Sequence, residues 1–159
     1  MSRAATAHLR VALGLAAAAV AAGCHGSRGG TAAGSGVAVT HAVVPVPASR
    51  AEASVFMVIE NRGGAQLTLV GGTSPDAEAV QLHREIGGQM EPVQGVDIPA
   101  GGRLRLVPGS YHLMLANVGR SLAVGDTVTL HLTFEPNVSL TVRAPVLTYT
   151  DAVSDLPVH

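Results

Sequence analysis

Thr127-Val-Thr-Leu-His-Leu-Thr-Phe134, then Glu135-Pro-Asn137, then Val138-Ser-Leu-Thr-Val-Arg-Ala-Pro-Val146 is the stretch that decides the fold. Apolar residues recur at every second position through both runs, the period of a strand with one face turned to a core. The three residues between the runs are a tight connection, so the pair reads as two neighbouring strands. The same period recurs on either side of this pair. Residues 53–60 and 66–70 read as strands, and Arg103-Leu-Arg-Leu-Val107 alternates polar with apolar. Pro99-Ala-Gly-Gly102 and Pro108-Gly-Ser110 are turns, and residues 111–115 form a further strand. Gly87-Gly88 lies between runs 78–85 and 89–93, which is the signal of a two-residue hairpin loop. Beyond the N-terminal region no segment carries the periodicity of an amphipathic helix. Seven to nine short strands over about 120 residues predict an all-β domain, an antiparallel immunoglobulin-like β-sandwich.

Composition narrows the function classes. The chain has 159 residues, 47% apolar and 13% charged, with a formal net charge of −1. That is one domain's worth of chain. All ten basic residues are Arg, scattered singly, so no basic patch is offered to nucleic acid. Aromatic residues are only 3% and Trp is absent, which argues against a base-stacking or sugar-stacking platform. The single Cys excludes an intramolecular disulfide and any C-x-x-C redox or zinc motif.

That residue, Cys24, sits at a boundary. Arg3 and Arg10 precede an apolar run, residues 11–22, that is too short to span a membrane as a helix. Ala21-Ala22-Gly23-Cys24 resembles a bacterial lipobox, with Ala21 where Leu is usual. The resemblance implies a lipoprotein signal peptide over 1–23, acylation of Cys24, and an extracytoplasmic protein anchored to the bacterial membrane at its periplasmic or outer face. The mature chain then carries eight Arg against eleven acids, a net charge of −3. Residues 24–36 read as a flexible Gly/Ser tether, 37–150 as the β-domain, and 151–159 as a C-terminal tail.

Seven His and four Met remain as candidate ligands. Met1 and His8 leave with the signal, His25 and His159 lie near the ends, His41 and His131 read as surface or core-edge residues, and Met57 reads as core. His112 and Met114 are an i, i+2 pair, so in a strand they share a face, with Tyr111, Leu113 and Leu115 on the other. If Gly87-Gly88 closes a two-residue loop, Glu85 opposes Met90, and His83 becomes its diagonal neighbour about 7–8 Å away. Each pair joins an imidazole to a thioether. Thioethers are soft, neutral donors that select Cu(I) over Zn, Mg or Ca, and imidazole also suits copper. With no Cys in the domain, a blue-copper electron-transfer site is excluded.

Met90, twenty-one intervening residues, then His112-x-Met114 resembles the metal-binding half-motif of the periplasmic copper chaperone family, the PCuAC or DUF461 proteins. Ile98-Pro-Ala-Gly-Gly102, Leu106-Val-Pro-Gly-Ser-Tyr-His-Leu-Met-Leu115, Gly125-Asp-Thr-Val-Thr-Leu-His-Leu-Thr-Phe134, Ala53-Ser-Val-Phe-Met-Val-Ile-Glu-Asn61 and the stretch from Ser74-Pro75 to His83 follow the family's wording, in its order. The likeness spans residues 37–146. It implies a cupredoxin-like β-sandwich that binds one Cu(I) near its surface through His83, Met90, His112 and Met114. It also implies delivery to a copper-accepting protein, usually the copper centre of a haem-copper oxidase. Six residues separate His83 from Met90, a shorter hairpin than the family's, and Arg84 stands where a Met can follow the first His. Two other readings compete with a copper carrier. One is a non-metal structural or adhesion lipoprotein with the same fold. The other is an enzyme, against which stand isolated acids and the lack of a G-x-S-x-G nucleophile motif, so no catalytic residues are assigned.

Overall fold

The computed structural model describes residues 30–31 and 36–157. Cys24, His25, His159 and the signal region lie outside the described residues. Eleven strands and one short helix are described: β1 (Gly30–Thr31), β2 (Val37–Pro45), β3 (Glu52–Asn61), β4 (Leu67–Thr73), β5 (Ala77–Ile86), β6 (Gln89–Pro92), β7 (Val96–Ile98), β8 (Arg103–Leu106), β9 (Tyr111–Val118), β10 (Thr127–Glu135), β11 (Val138–Leu147) and α1 (Tyr149–Ser154).

The strands form one sheet ordered β6-β5-β9-β8-β3-β2-β11-β10-β4-β7, with β1 added beside β2, and further pairings β5–β4 and β9–β3 close it on itself. The all-β expectation holds. The antiparallel sandwich of seven to nine strands is corrected to a closed, mixed sheet: β8–β9 and β11–β2 run parallel. These parallel contacts are one and two residue pairs long, at points where a strand passes from one neighbour to another. Alternation in the sequence reports which face is buried and carries no record of such handovers.

The alternating runs 127–134 and 138–146 form the neighbouring strands that the sequence predicts. β10 and β11 pair from Thr127↔Pro145 to Phe134↔Val138, and their apolar residues enter the core. Met57 is fully buried there, with Leu113 and Leu115 of β9. Closure falls on Gly72, which pairs with both Leu132 of β10 and Val80 of β5. A Cβ at Gly72 would stand 2.5 Å from the His131 carbonyl oxygen, so only glycine lets the two backbones approach this closely.

Two segments differ from the sequence reading. Within the tether, Gly30–Thr31 pairs with Ala38 and Val39. β11 meets β2 only at Val44 and Pro45, which leaves the N-terminal half of that edge open for β1. In the C-terminal segment, Thr148 caps α1 by accepting a hydrogen bond from the Asp151 N–H at 3.2 Å. The helix packs Ala152, followed by Leu156, against Val43 and Phe56 in a second, smaller core. Six residues are under two turns, too few for a helical period to register in sequence.

Candidate metal centre

β5 and β9 are antiparallel neighbours, and their register sets His83 opposite His112 and Gln81 opposite Met114. Because residues two apart on a strand share a face, these four side chains project together. The intervening Leu82 and Leu113 point the other way, into the main core. The two imidazole centroids are 5.9 Å apart with planes at 64°. Phe56 of β3 meets the His112 ring edge-on at 6.4 Å and shares a buried cluster with Ala152 of α1 and Leu156.

Hydrogen bonds determine which ring nitrogens are free. His112 Nδ1–H donates to the Ser110 carbonyl oxygen at 3.2 Å, and a carbonyl can only accept. Nε2 of His112 therefore carries the lone pair. His83 Nε2–H donates to Gln81 Oε1 at 3.2 Å, which leaves the lone pair on Nδ1. His83 Nδ1 and His112 Nε2 are both buried and have no hydrogen-bond partner. Such a group costs about 1–3 kcal/mol when left unmade, so two of them on adjacent rings point to a ligand that supplies the missing contact. Burial, and then the neighbouring His112, hold the His83 imidazole below its ordinary pKa, with Glu52 opposing more weakly. The neutral ring is the form that binds metal.

Met90 arrives by the hairpin. Ile86 pairs with Gln89 and Glu85 with Met90, the register expected of a two-residue loop. Gly87 and Gly88 both have positive φ, 58° and 80°, as a type I′ turn requires. The shortened hairpin thus keeps Met90 diagonal to His83. Met90 is 51% exposed, whereas Met114 is 4% and His112 2% exposed. An open cleft of about 250 Å³ is lined by Met90, Met114, Phe56 and Tyr149 among others. The two Met line this cleft, and the free imidazole nitrogens are buried.

The structure therefore brings His83, Met90, His112 and Met114 to one region. His41 bonds its neighbour Thr40, and His131 bonds Thr141 across β10–β11, both at the surface and apart from the candidate centre. Among the described residues, no three His, Cys, Asp or Glu come together. Sequence reasoning missed Gln81, Phe56, Tyr149 and the Ser110 carbonyl. Gln81 alone had a legible signal, its i, i+2 spacing from His83.

Residues 37–146 match the model of a family described as "Putative lipoprotein LpqE-like". The chain belongs to this family, within the PCuAC group. It is 33% identical over 122 residues to "Putative lipoprotein Lxx21020" of Leifsonia xyli subsp. xyli (strain CTCB07), covering 74% of this chain and 73% of that protein. Among solved structures, the copper-bound PCuAC domain from PmoF2 aligns with a TM-score of 0.64 over 75% of this chain and 97% of that one; at 24% identity it speaks for the fold. Cu(I)-bound DR1885 of Deinococcus radiodurans aligns with a TM-score of 0.58 at 30% identity, covering 68% of this chain and 76% of that one. Its apo form aligns at 31% identity with a TM-score of 0.56, over 93% and 97% of the two chains.

Proposed function

We propose that this protein is an extracytoplasmic copper chaperone that binds one Cu(I) through His83, Met90, His112 and Met114 and hands it to a copper-accepting protein, such as a haem-copper oxidase. The observation that carries this reading is the pair of buried, unpartnered imidazole nitrogens on facing residues, with two thioethers alongside. Two neutral nitrogens and two neutral sulfurs form an uncharged donor set that favours the monovalent ion. Copper here is cargo. Met90 at the exposed end of the set is suited to being the first donor an acceptor displaces. The domain acts as a carrier rather than an enzyme, and acylation of Cys24 would hold it at the membrane. The copper-bound PCuAC neighbours support the metal, and the lipoprotein name of the Leifsonia relative supports the anchor. Metal analysis with Cu(I) competition titration of the protein tests the reading. One Cu(I) per chain, with Zn(II) unable to compete, is the expected result, and no Cu(I) retained against a weak chelator would overturn it.

A further inference from the structure

Gln81 is exposed and contributes nothing to the core, yet it stands beside His83 and opposite Met114 on the face that carries the candidate ligands. Its Oε1 receives the Nε2–H of His83. A neutral imidazole has one N–H, so a fixed donor at Nε2 obliges Nδ1 to hold the lone pair. Nδ1 is the His83 nitrogen that is buried without a partner. His112 is fixed in the opposite sense, since Ser110 takes its Nδ1–H and leaves Nε2 bare. We infer that Gln81 is a positioning residue that locks His83 in the Nε2–H tautomer, so that His83 would bind metal through Nδ1 while His112 binds through Nε2.

This rests on the copper reading and deepens it. The physical basis is general: a metal-binding imidazole whose second nitrogen donates to a fixed acceptor is held in one tautomer and one ring orientation. Each of the two facing rings has its N–H engaged by a fixed acceptor, which leaves one buried lone pair on each. Without the Gln81 acceptor, His83 is free to place its proton on Nδ1, and the competent fraction of the site falls with the population that does so.

The test uses 15N-labelled protein, with Gln81→Leu to remove the acceptor at similar volume and Gln81→Glu to keep one. Long-range 1H–15N spectra of the metal-free protein read the His83 tautomer directly, and competition titration reads Cu(I) affinity. The expected result is the Nε2–H tautomer in the wild type and in Gln81→Glu, a mixed or Nδ1–H population in Gln81→Leu, and a loss of about tenfold in Cu(I) affinity in the Leu variant alone. Cu(I) should perturb the His83 Nδ1 resonance of the wild type. An Nδ1–H tautomer in the wild type, a His83 tautomer unchanged by Gln81→Leu, or Cu(I) affinity unchanged in that variant would overturn the inference while leaving the copper reading intact. A wild type that shows the expected tautomer and binds no Cu(I) would overturn the copper reading, and with it any role of Gln81 towards metal.

Discussion

His83 and His112 face each other across the β5–β9 ladder with their ring centroids 5.9 Å apart, and each keeps one buried nitrogen that bonds to nothing. A fold under selection for stability alone would place apolar side chains there, because a half-satisfied polar pair is worse than none. The fold holds both rings through the sheet register and through a hydrogen bond on the other nitrogen of each.

Differences in burial give each proposed ligand a distinct weight. His112→Ala removes a buried donor that nothing nearby replaces, and Met114→Ala removes the buried sulfur. Each should cost at least about tenfold in Cu(I) affinity, the equivalent of about 1.4 kcal/mol. His83→Ala should also weaken binding, since the β5–β9 register keeps it opposite His112. Met90→Ala should mainly speed Cu(I) transfer to a chelator, because that side chain stands exposed. Competition titrations and stopped-flow transfer on the four variants check this. Wild-type affinity in both His112→Ala and Met114→Ala would sink the assignment.

Much of this was legible in residues alone, for reasons that differ by element. The Gly87-Gly88 dipeptide permits essentially one tight loop, so the Glu85↔Met90 pairing and the diagonal placing of His83 followed from counting. His112 and Met114 shared a face by the period of two. The pairing of β5 with β9 was not legible, because twenty-four residues separate Ile86 from Tyr111 and alternation does not name a partner strand. The same holds for the parallel junctions and for α1, whose six residues are fixed by contacts with Val43 and Phe56 rather than by a pattern of their own.

Acid should act on the metal-free fold through His83. Its folded-state pKa lies below the ordinary value, through burial first and then His112. As pH falls through the ordinary His range, the unfolded chain takes up this proton before the folded one does, so His83 contributes a loss of stability that begins there and is complete below its lowered folded pKa. Above the ordinary range the contribution is flat. Glu52→Gln removes the charge that opposes the shift, so the acid limb should extend to lower pH. Chemical denaturation of wild type, His83→Ala and Glu52→Gln from pH 8 to pH 5 reads this, and an identical pH profile for His83→Ala and wild type would refute it. Cu(I) should leave the protein over the same acid range, because only neutral imidazole binds.

Gly72 carries the closure of the sheet. A methyl group there would meet the backbone of β10 at 2.5 Å and has no flexible side chain to push aside. Gly72→Ala should therefore destabilise the fold by about 1–3 kcal/mol through overpacking, measurable as a lower denaturation midpoint. Gly64, where an added Cβ meets nothing, is the control: Gly64→Ala should stay within about 0.5 kcal/mol of wild type.

The C-terminal helix should matter to the proposed copper site although none of its residues is a proposed ligand. Ala152 and Leu156 cover Phe56, Phe56 lies edge-on to His112, and Tyr149 walls the cleft shared by Met90 and Met114. Removing residues 148–159 uncovers Phe56 and takes away the buried Leu156, a loss of about 1.5–3 kcal/mol from that side chain alone. It also frees Phe56 to move away from His112, which should weaken Cu(I) binding beyond what Tyr149→Ala achieves by itself. Leu156→Ala separates the two effects, since it keeps the helix and the cleft wall while loosening the cover on Phe56. The expected order of Cu(I) affinity is wild type, then Tyr149→Ala and Leu156→Ala, then the truncated chain. Thermal melts of the metal-free proteins run alongside. If the truncated chain melts lower yet binds Cu(I) as tightly as wild type, the helix is a stability element only, and the path through Phe56 to His112 carries no coupling.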